Sequence, residues 1–168
     1  MNLQTMTNRV YAGAEDLRQM IDLLSEVRAP ERIAGYPSPA DLREMLCLPA
    51  IQANTRLWFE KGRLVALALV DSYNNLLFEY QQAGPDLEAE MVGWGVECVR
   101  RAPHEGEAPP TLDANCREED ADRVALLERH GFVRQPVRSL HLARPLHEPI
   151  PMPTLPAGFK IRPLKGRD

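Results

Sequence analysis

One stretch of the sequence decides the fold: TRLWFEKGRLVALALVDSYNNLLFEY, residues 55–80. Apolar and aromatic residues concentrate in three runs of it, 55–60, 63–70 and 76–80. The dipeptide Lys61-Gly62 separates the first two runs, and Asn74-Asn75 precedes the third. Short connections of this composition join antiparallel neighbours. The stretch therefore predicts a three-stranded antiparallel meander.

Helical patterns lie on both sides of this meander in the sequence. Leu17, Met20 and Leu24 follow the three-and-four spacing of an amphipathic helix. Ser38 before Pro39 is typical of a helix start. Signals of these kinds predict helices over residues 14–28, 40–48, 86–101 and 119–130. Shorter strands are predicted at 8–12, 111–116, 132–135 and 139–143.

The composition is that of an ordinary globular chain. Among 168 residues, 44% are hydrophobic and 26% are charged, with a net charge of −4. This balance argues against nucleic acid or an anionic membrane as the main partner. Three cysteines without CxxC spacing indicate reduced thiols, and therefore a cytoplasmic location. The four histidines form no HxH or HxxxH pair, so we expect no metal site.

A proline-rich stretch divides the chain. Prolines recur at 145, 149, 151, 153 and 156, which is typical of a stiff extended linker. We expect one domain over residues 1–145. Residues 146–168 would then hold the linker and the start of a second domain near Phe159, in a chain that is a fragment of a longer protein.

The segment Arg123-Val-Ala-Leu-Leu-Glu-Arg-His-Gly-Phe132 carries a family resemblance. It resembles the late helix and following strand of the GCN5-related N-acetyltransferase (GNAT) family, A-x-x-L-Y-E-[KR]-x-G-F. The order of predicted elements from residue 9 to 145 is also similar. The resemblance implies an α+β fold, with a mixed, mostly antiparallel sheet between helices. It also implies a splayed cleft for the pantetheine arm of acetyl-CoA, and it points to the N-terminal half of a tandem-GNAT protein.

The resemblance also implies where the cofactor would bind. The family holds the pyrophosphate with the loop [RQ]-x-x-G-x-[GA] before a long helix, and this chain has Gln81-Gln82-Ala-Gly84-Pro85-Asp86 there. Gln81, Gln82 and Gly84 are the expected cofactor-binding residues. Asp86 departs from the pattern, and Pro85 has no N–H to donate. The alternative is a loop that only starts a helix.

Two residues on the last meander strand are the candidates for catalysis. Glu79 would accept the proton of the amine, and Tyr80 would protonate the departing thiolate. The family's usual tyrosine position holds Leu127, which we expect in the core. Glu79 facing away from any cleft is the alternative. Cys116 is expected to be a core residue rather than a nucleophile.

Two functions follow from these residues. The first is acetyl-CoA-dependent transfer of an acetyl group to an amine, on a small molecule or a peptide. The second is a catalytically degenerate GNAT-like domain, the structural or substrate-binding half of a tandem protein whose second GNAT domain is missing here. A ligand-binding module of another ancestry fits the late-helix pattern less well. A homodimer is a further expected partner state.

Overall fold

The computed structural model describes residues 6–33, 35–82, 84–103, 109–139, 145 and 147–162. Its strands are β1 (Met6–Val10), β2 (Thr55–Glu60), β3 (Arg63–Val70) and β4 (Leu76–Tyr80). Its helices are α1 (Ala14–Val27), α2 (Pro39–Met45), α3 (Pro49–Ala53), α4 (Pro85–Arg101) and α5 (Ala121–Arg129), with a 3₁₀ turn at Pro30–Arg32. The chain separates into two compact units, 1–134 and 135–168.

The strands form one antiparallel sheet in the order β1-β2-β3-β4. The three meander strands begin and end at the predicted residues. Lys61 and Gly62 both have positive φ, 50° and 80°, as the two-residue hairpin requires. A parallel bridge from Asn75 to Asp113 makes the strand pairing mixed. The predicted meander is therefore confirmed.

The strand β3 is buried along almost its whole length, because the sheet has a hydrophobic core on each face. One core lies against α4 and α5 and includes Trp58, Phe78, Met91 and Leu126. The other lies against α1 and α2 and includes Met20, Leu24, Leu57 and Leu67. Trp58 is fully buried and contacts Trp94 edge to face, with ring centroids 6.4 Å apart. Helices cover the two faces, as expected for an α+β fold.

Some predicted elements are wrong. The helix predicted over residues 40–48 ends at Met45, and a further helix that was not predicted begins at Pro49, a position that tolerates the missing N–H. In the segment predicted as a strand at 111–116, only Asp113 pairs with the sheet. Residues 132–135 are not a strand, since the Phe132 N–H closes α5 by bonding Leu127 O at 3.0 Å. Residues 140–143 of the last predicted strand lie outside the described residues.

The second unit differs from the first. Its described residues, 135–139, 145 and 147–162, form no helix or strand and are exposed. Large apolar side chains are among them, including Ile150, Met152 and Phe159. The expected domain boundary at residue 145 stays a prediction. Within the described ranges, no helix has both the length and the apolarity needed to cross a membrane.

Asp16 fixes the start of α1 to β1. Arg9 donates to both its carboxylate oxygens, at 2.6 and 2.5 Å, and the Ala12 N–H donates at 2.7 Å. The side chain of Asp16 is buried. The hydrogen bonds from Arg9, followed by the one from Ala12, outweigh desolvation and hold the pKa of Asp16 below its ordinary value.

This lowered pKa predicts an acid-sensitive contribution to stability. Above about pH 4, where an unfolded aspartate is ionised, we expect Asp16→Asn to lower the free energy of unfolding by about 2 kcal/mol. The difference from wild type should shrink as the pH falls below about 4 toward the lower pKa of Asp16 in the folded state, because the unfolded state then binds the proton more readily than the folded state. Urea unfolding followed by circular dichroism from pH 7 to pH 3 measures it. Asp22→Asn, in an exposed pair with Arg18, is the control; equal pH profiles for both variants would contradict the prediction.

Two glycines of α4 give a matched test of how closely this helix packs on the sheet. A Cβ at Gly95 would lie 3.0 Å from Leu76 Cδ1 and 3.2 Å from Leu112 Cδ2, whereas a Cβ at Gly93 would meet nothing within 4 Å. We expect Gly93→Ala to stabilise the protein by about 0.5–1 kcal/mol through helix propensity. Gly95→Ala should lose that gain to crowding. Equal gains in urea unfolding would mean that α4 sits further from the sheet.

Candidate functional site

The sheet opens beside β4. Leu76 N donates to Asp113 O at 2.7 Å, and Asp113 N donates to Asn74 O at 3.0 Å. After this single bridge, none of the described residues from 114 to 116 pairs with β4. From Phe78 onward the outer edge of β4 therefore has no neighbouring strand in the described part of the chain, and we call this unpaired edge the gap.

The backbone of β4 presents alternate residues to this gap. In an antiparallel pair, the N–H and C=O of one residue point to the same side. Gln81 N donates inward to Val65 O at 2.9 Å, whereas Leu76 N points outward to Asp113. Phe78 and Tyr80 therefore direct their backbone groups outward. Their side chains pack in the α4 core, while Leu77 and Glu79 belong to the opposite, α1 face.

Arg123 of α5 occupies the edge of β4. Its Nη1 donates to Phe78 O at 2.8 Å, and its Nη2 donates to Glu79 Oε2 at 3.0 Å. Its Cζ lies 4.5 Å from the centroid of the Phe78 ring. The side chain therefore touches the α4 face, the edge and the α1 face of the same strand.

Arg28, the C-cap residue of α1, binds the other oxygen of Glu79. Its Nε and Nη2 donate to Glu79 Oε1 at 2.9 and 2.6 Å. Its Nη1 donates to the carbonyls of Gly35 and Pro37 at 3.0 and 2.8 Å. The side chains of Arg28 and Glu79 are only 9% and 14% exposed. We call Arg28, Glu79 and Arg123 the arginine–glutamate cluster.

Glu79, the predicted base, thus lies beside the gap with a guanidinium on each carboxylate oxygen. Three charge-assisted hydrogen bonds fix its orientation. To act as a base it would need an oxygen directed at an amine, and that requires one arginine to move. Its catalytic role stays a prediction.

Tyr80, the predicted acid, stacks on Phe78 with ring centroids 6.1 Å apart. Burial raises the pKa of its phenol, an effect that the nearby Arg123 partly offsets. The hydroxyl therefore keeps its proton at neutral pH, which is the form an acid needs. Its role in catalysis also stays a prediction.

The predicted cofactor loop does not form a cradle of backbone donors. The N–H groups of Leu87 and Glu88 both bond Gly84 O, at 3.0 and 3.2 Å, and Pro85 has none. Gly84 has an extended backbone with open space around its α-carbon. Gln82 is exposed, and Gln81 Nε2 donates to Glu26 of α1 at 2.5 Å. Among the described residues of this helix start, the N–H groups of Gly84 and Asp86 remain for an anion.

The charges at the start of α4 oppose a pyrophosphate. Asp86 is exposed there, and Glu88 follows, paired with Arg129 at 2.8 Å. A carboxylate about 6 Å from a phosphate costs roughly 3 kcal/mol at an effective dielectric of 20. A hydrogen bond to a charged group returns about 1.5–3 kcal/mol. The residues at this helix start do not fit the pyrophosphate of CoA.

Two other sequence expectations have outcomes here. Leu127 is buried in the α4 core, as expected. Cys116 is exposed, so its expected place in the core is wrong, because the chain leaves the sheet after Asp113. Among the described residues, no group of three or more His, Cys, Asp or Glu side chains could hold a metal ion.

Sequence reasoning missed both arginines of the cluster. The signal for Arg123 was present, because it stands at the first position of the late-helix pattern, where the family form has alanine. Arg28 gave no such signal. Its role depends on the 3₁₀ turn and loop that bring Gly35 and Pro37 back to the end of α1.

Solved structures with this architecture include acetyltransferases. A GNAT-family acetyltransferase from Streptococcus pneumoniae matches with a TM-score of 0.52 at 14% identity, covering 77% of this chain and 85% of that one. The aminoglycoside N-acetyltransferase AAC(6')-Iy, solved with a CoA-containing bisubstrate analogue, gives 0.53 at 14%, covering 83% and 98%. A transcriptional regulator from Bacillus halodurans gives 0.55 at 17%, covering 82% and 99%. These likenesses show the GNAT fold and confirm the predicted α+β class.

Comparison of the amino-acid sequence alone gives no such match. No protein-family profile matches the chain, and no curated protein does. The likeness is therefore one of fold.

The arginine–glutamate cluster predicts that Glu79 matters for stability. Glu79→Gln leaves two guanidinium groups without their shared counter-charge, so we expect a loss of about 3–5 kcal/mol in the free energy of unfolding. Glu97→Gln, which breaks an exposed pair with Arg100, should cost less than about 0.5 kcal/mol. Urea unfolding followed by circular dichroism measures both. Equal free energies of unfolding for the two variants would indicate that Glu79 serves catalysis rather than stability.

Proposed function

We propose that this chain, which has the GNAT fold, is a catalytically degenerate acetyltransferase-type domain. It acts as the structural or substrate-binding half of a tandem-GNAT protein. Its structural neighbours include acetyltransferases, which supports an origin of the domain in that family. The departure of its cofactor loop from the family pattern supports the loss of chemistry.

The start of α4 carries this proposal. A CoA pyrophosphate needs several N–H donors at a helix N-terminus and a positive local field. Here Pro85 removes one donor, Gly84 O takes the Leu87 N–H, and Asp86 adds negative charge. A domain built in this way is better suited to a structural or substrate-binding role than to acetyl transfer.

The proline-rich segment supports a partner domain. Residues 147–162 form no helix or strand and are exposed, with large apolar side chains such as Ile150 and Met152 facing solvent. A second GNAT domain, or a second copy of the chain in a homodimer, would cover such side chains. Three free cysteines, Cys47, Cys98 and Cys116, support a cytoplasmic setting.

The second candidate is acetyl-CoA-dependent transfer to a small-molecule or peptide amine. The protonated phenol of Tyr80 and the position of Glu79 beside the gap favour it. Gln81, Gln82 and Gly84 would then bind the cofactor, and Glu79 would need to be released from its arginines.

Calorimetry separates the two candidates. We expect the wild-type chain to show no binding of acetyl-CoA at concentrations up to about 1 mM. ADP carries a diphosphate but no pantetheine arm, so it tests the α4 start alone. The double variant Pro85→Arg, Asp86→Gly should bind ADP at least about tenfold more tightly than wild type. Asp122→Gly, an acid in the first turn of α5, is the control.

Micromolar binding of acetyl-CoA by the wild-type chain would overturn the degenerate assignment and support the transferase. Unchanged ADP binding in the double variant would show that the charges and the proline at this helix start are not what excludes the diphosphate.

A further inference from the structure

We infer that Arg123 is an internal plug, which fills the open edge of β4 and excludes an extended amide-bearing ligand of the pantetheine type. The inference rests on the proposed function, since it explains how the gap is used in a domain without cofactor chemistry. It concerns a different part of the molecule from the α4 start, so the two can fail separately.

The contacts of Arg123 surround the strand edge. Its guanidinium bonds the outward carbonyl of Phe78, covers the Phe78 ring and reaches Glu79 on the far face. An extended ligand with amide groups pairs with a strand edge through such outward backbone groups. Arg123 and the ligand therefore compete for the same carbonyl.

The position of Arg123 in α5 shows that its role is tertiary. Asp120 is the N-cap of α5, and its Oδ1 accepts from the Arg123 N–H at 3.3 Å, which places Arg123 in the first turn. A cation there opposes the helix dipole. The arginine is compensated by Asp120 Oδ2 of its own helix at 3.9 Å and, across the sheet edge, by Glu79 and the Phe78 ring.

Arginine suits this task better than other side chains. Its planar fork can donate to a carbonyl and a carboxylate at once while stacking on an aromatic ring. Phe78 O gains a partner that a neighbouring strand would otherwise provide. A ligand entering the gap must replace these bonds, so its affinity falls.

Pantetheine is the probe for the plug, because it has the extended amide arm and lacks the diphosphate. We expect Arg123→Ala to bind pantetheine at least about tenfold more tightly than wild type, measured by NMR titration. The shifted amide signals should include those of Phe78 and Tyr80. Arg129→Ala, on the same helix and paired with Glu88, should bind like wild type.

Circular dichroism checks that each variant is folded. If Arg123→Ala loses its fold, Arg123→Met replaces it, since methionine keeps an apolar stem beside the Phe78 ring but donates neither to Phe78 O nor to Glu79. The same gain in pantetheine affinity is expected.

The outcomes distinguish the plug from the proposed function. Equal pantetheine binding by the folded Arg123 variant and wild type overturns the plug, whatever acetyl-CoA does. Tight acetyl-CoA binding by wild type overturns the degenerate assignment. If wild type also binds pantetheine tightly, the plug is overturned as well. A gain confined to the Arg123 variants supports the plug.

Discussion

The arginine–glutamate cluster is the interaction on which the arrangement of this domain depends. Glu79 receives Arg28 from the end of α1 and Arg123 from the start of α5, so one carboxylate joins the two sides of the sheet at the edge of β4. Arg28 also holds the loop at Gly35 and Pro37. Elements far apart in the sequence therefore share one buried charge, which is stable only while both arginines stay in place.

The same cluster supplies hydrogen bonds at the unpaired edge of β4. Where the sheet opens, a strand edge needs hydrogen-bond partners from somewhere. Arg123 supplies one from within the chain, at a helix position where positive charge is otherwise unfavourable. At the start of α4, Pro85 and Asp86 remove the donors and the field that an anion needs. The hydrogen-bond partner of this strand edge therefore comes from within the domain.

Local signals predicted the meander to the residue, because β-branched and apolar runs and the Lys61-Gly62 turn are encoded next to each other. The long helices followed from the same kind of signal. The strands expected at 111–116 and 132–135 rested on local patterning. Beyond Asp113 they did not form, because the chain departs from β4 there and the Phe132 N–H instead closes α5. The cluster could not be predicted, since Arg28, Glu79 and Arg123 are brought together only by the folded sheet and helices.

The contact between Trp58 and Trp94 has an optical consequence. The chain has two tryptophans, and both lie on the α4 side of the sheet, with ring centroids 6.4 Å apart. Intrinsic emission therefore reports on one face of the molecule. Loosening of the leucine-rich layer beneath α1 would leave the emission spectrum unchanged until it spread through β3.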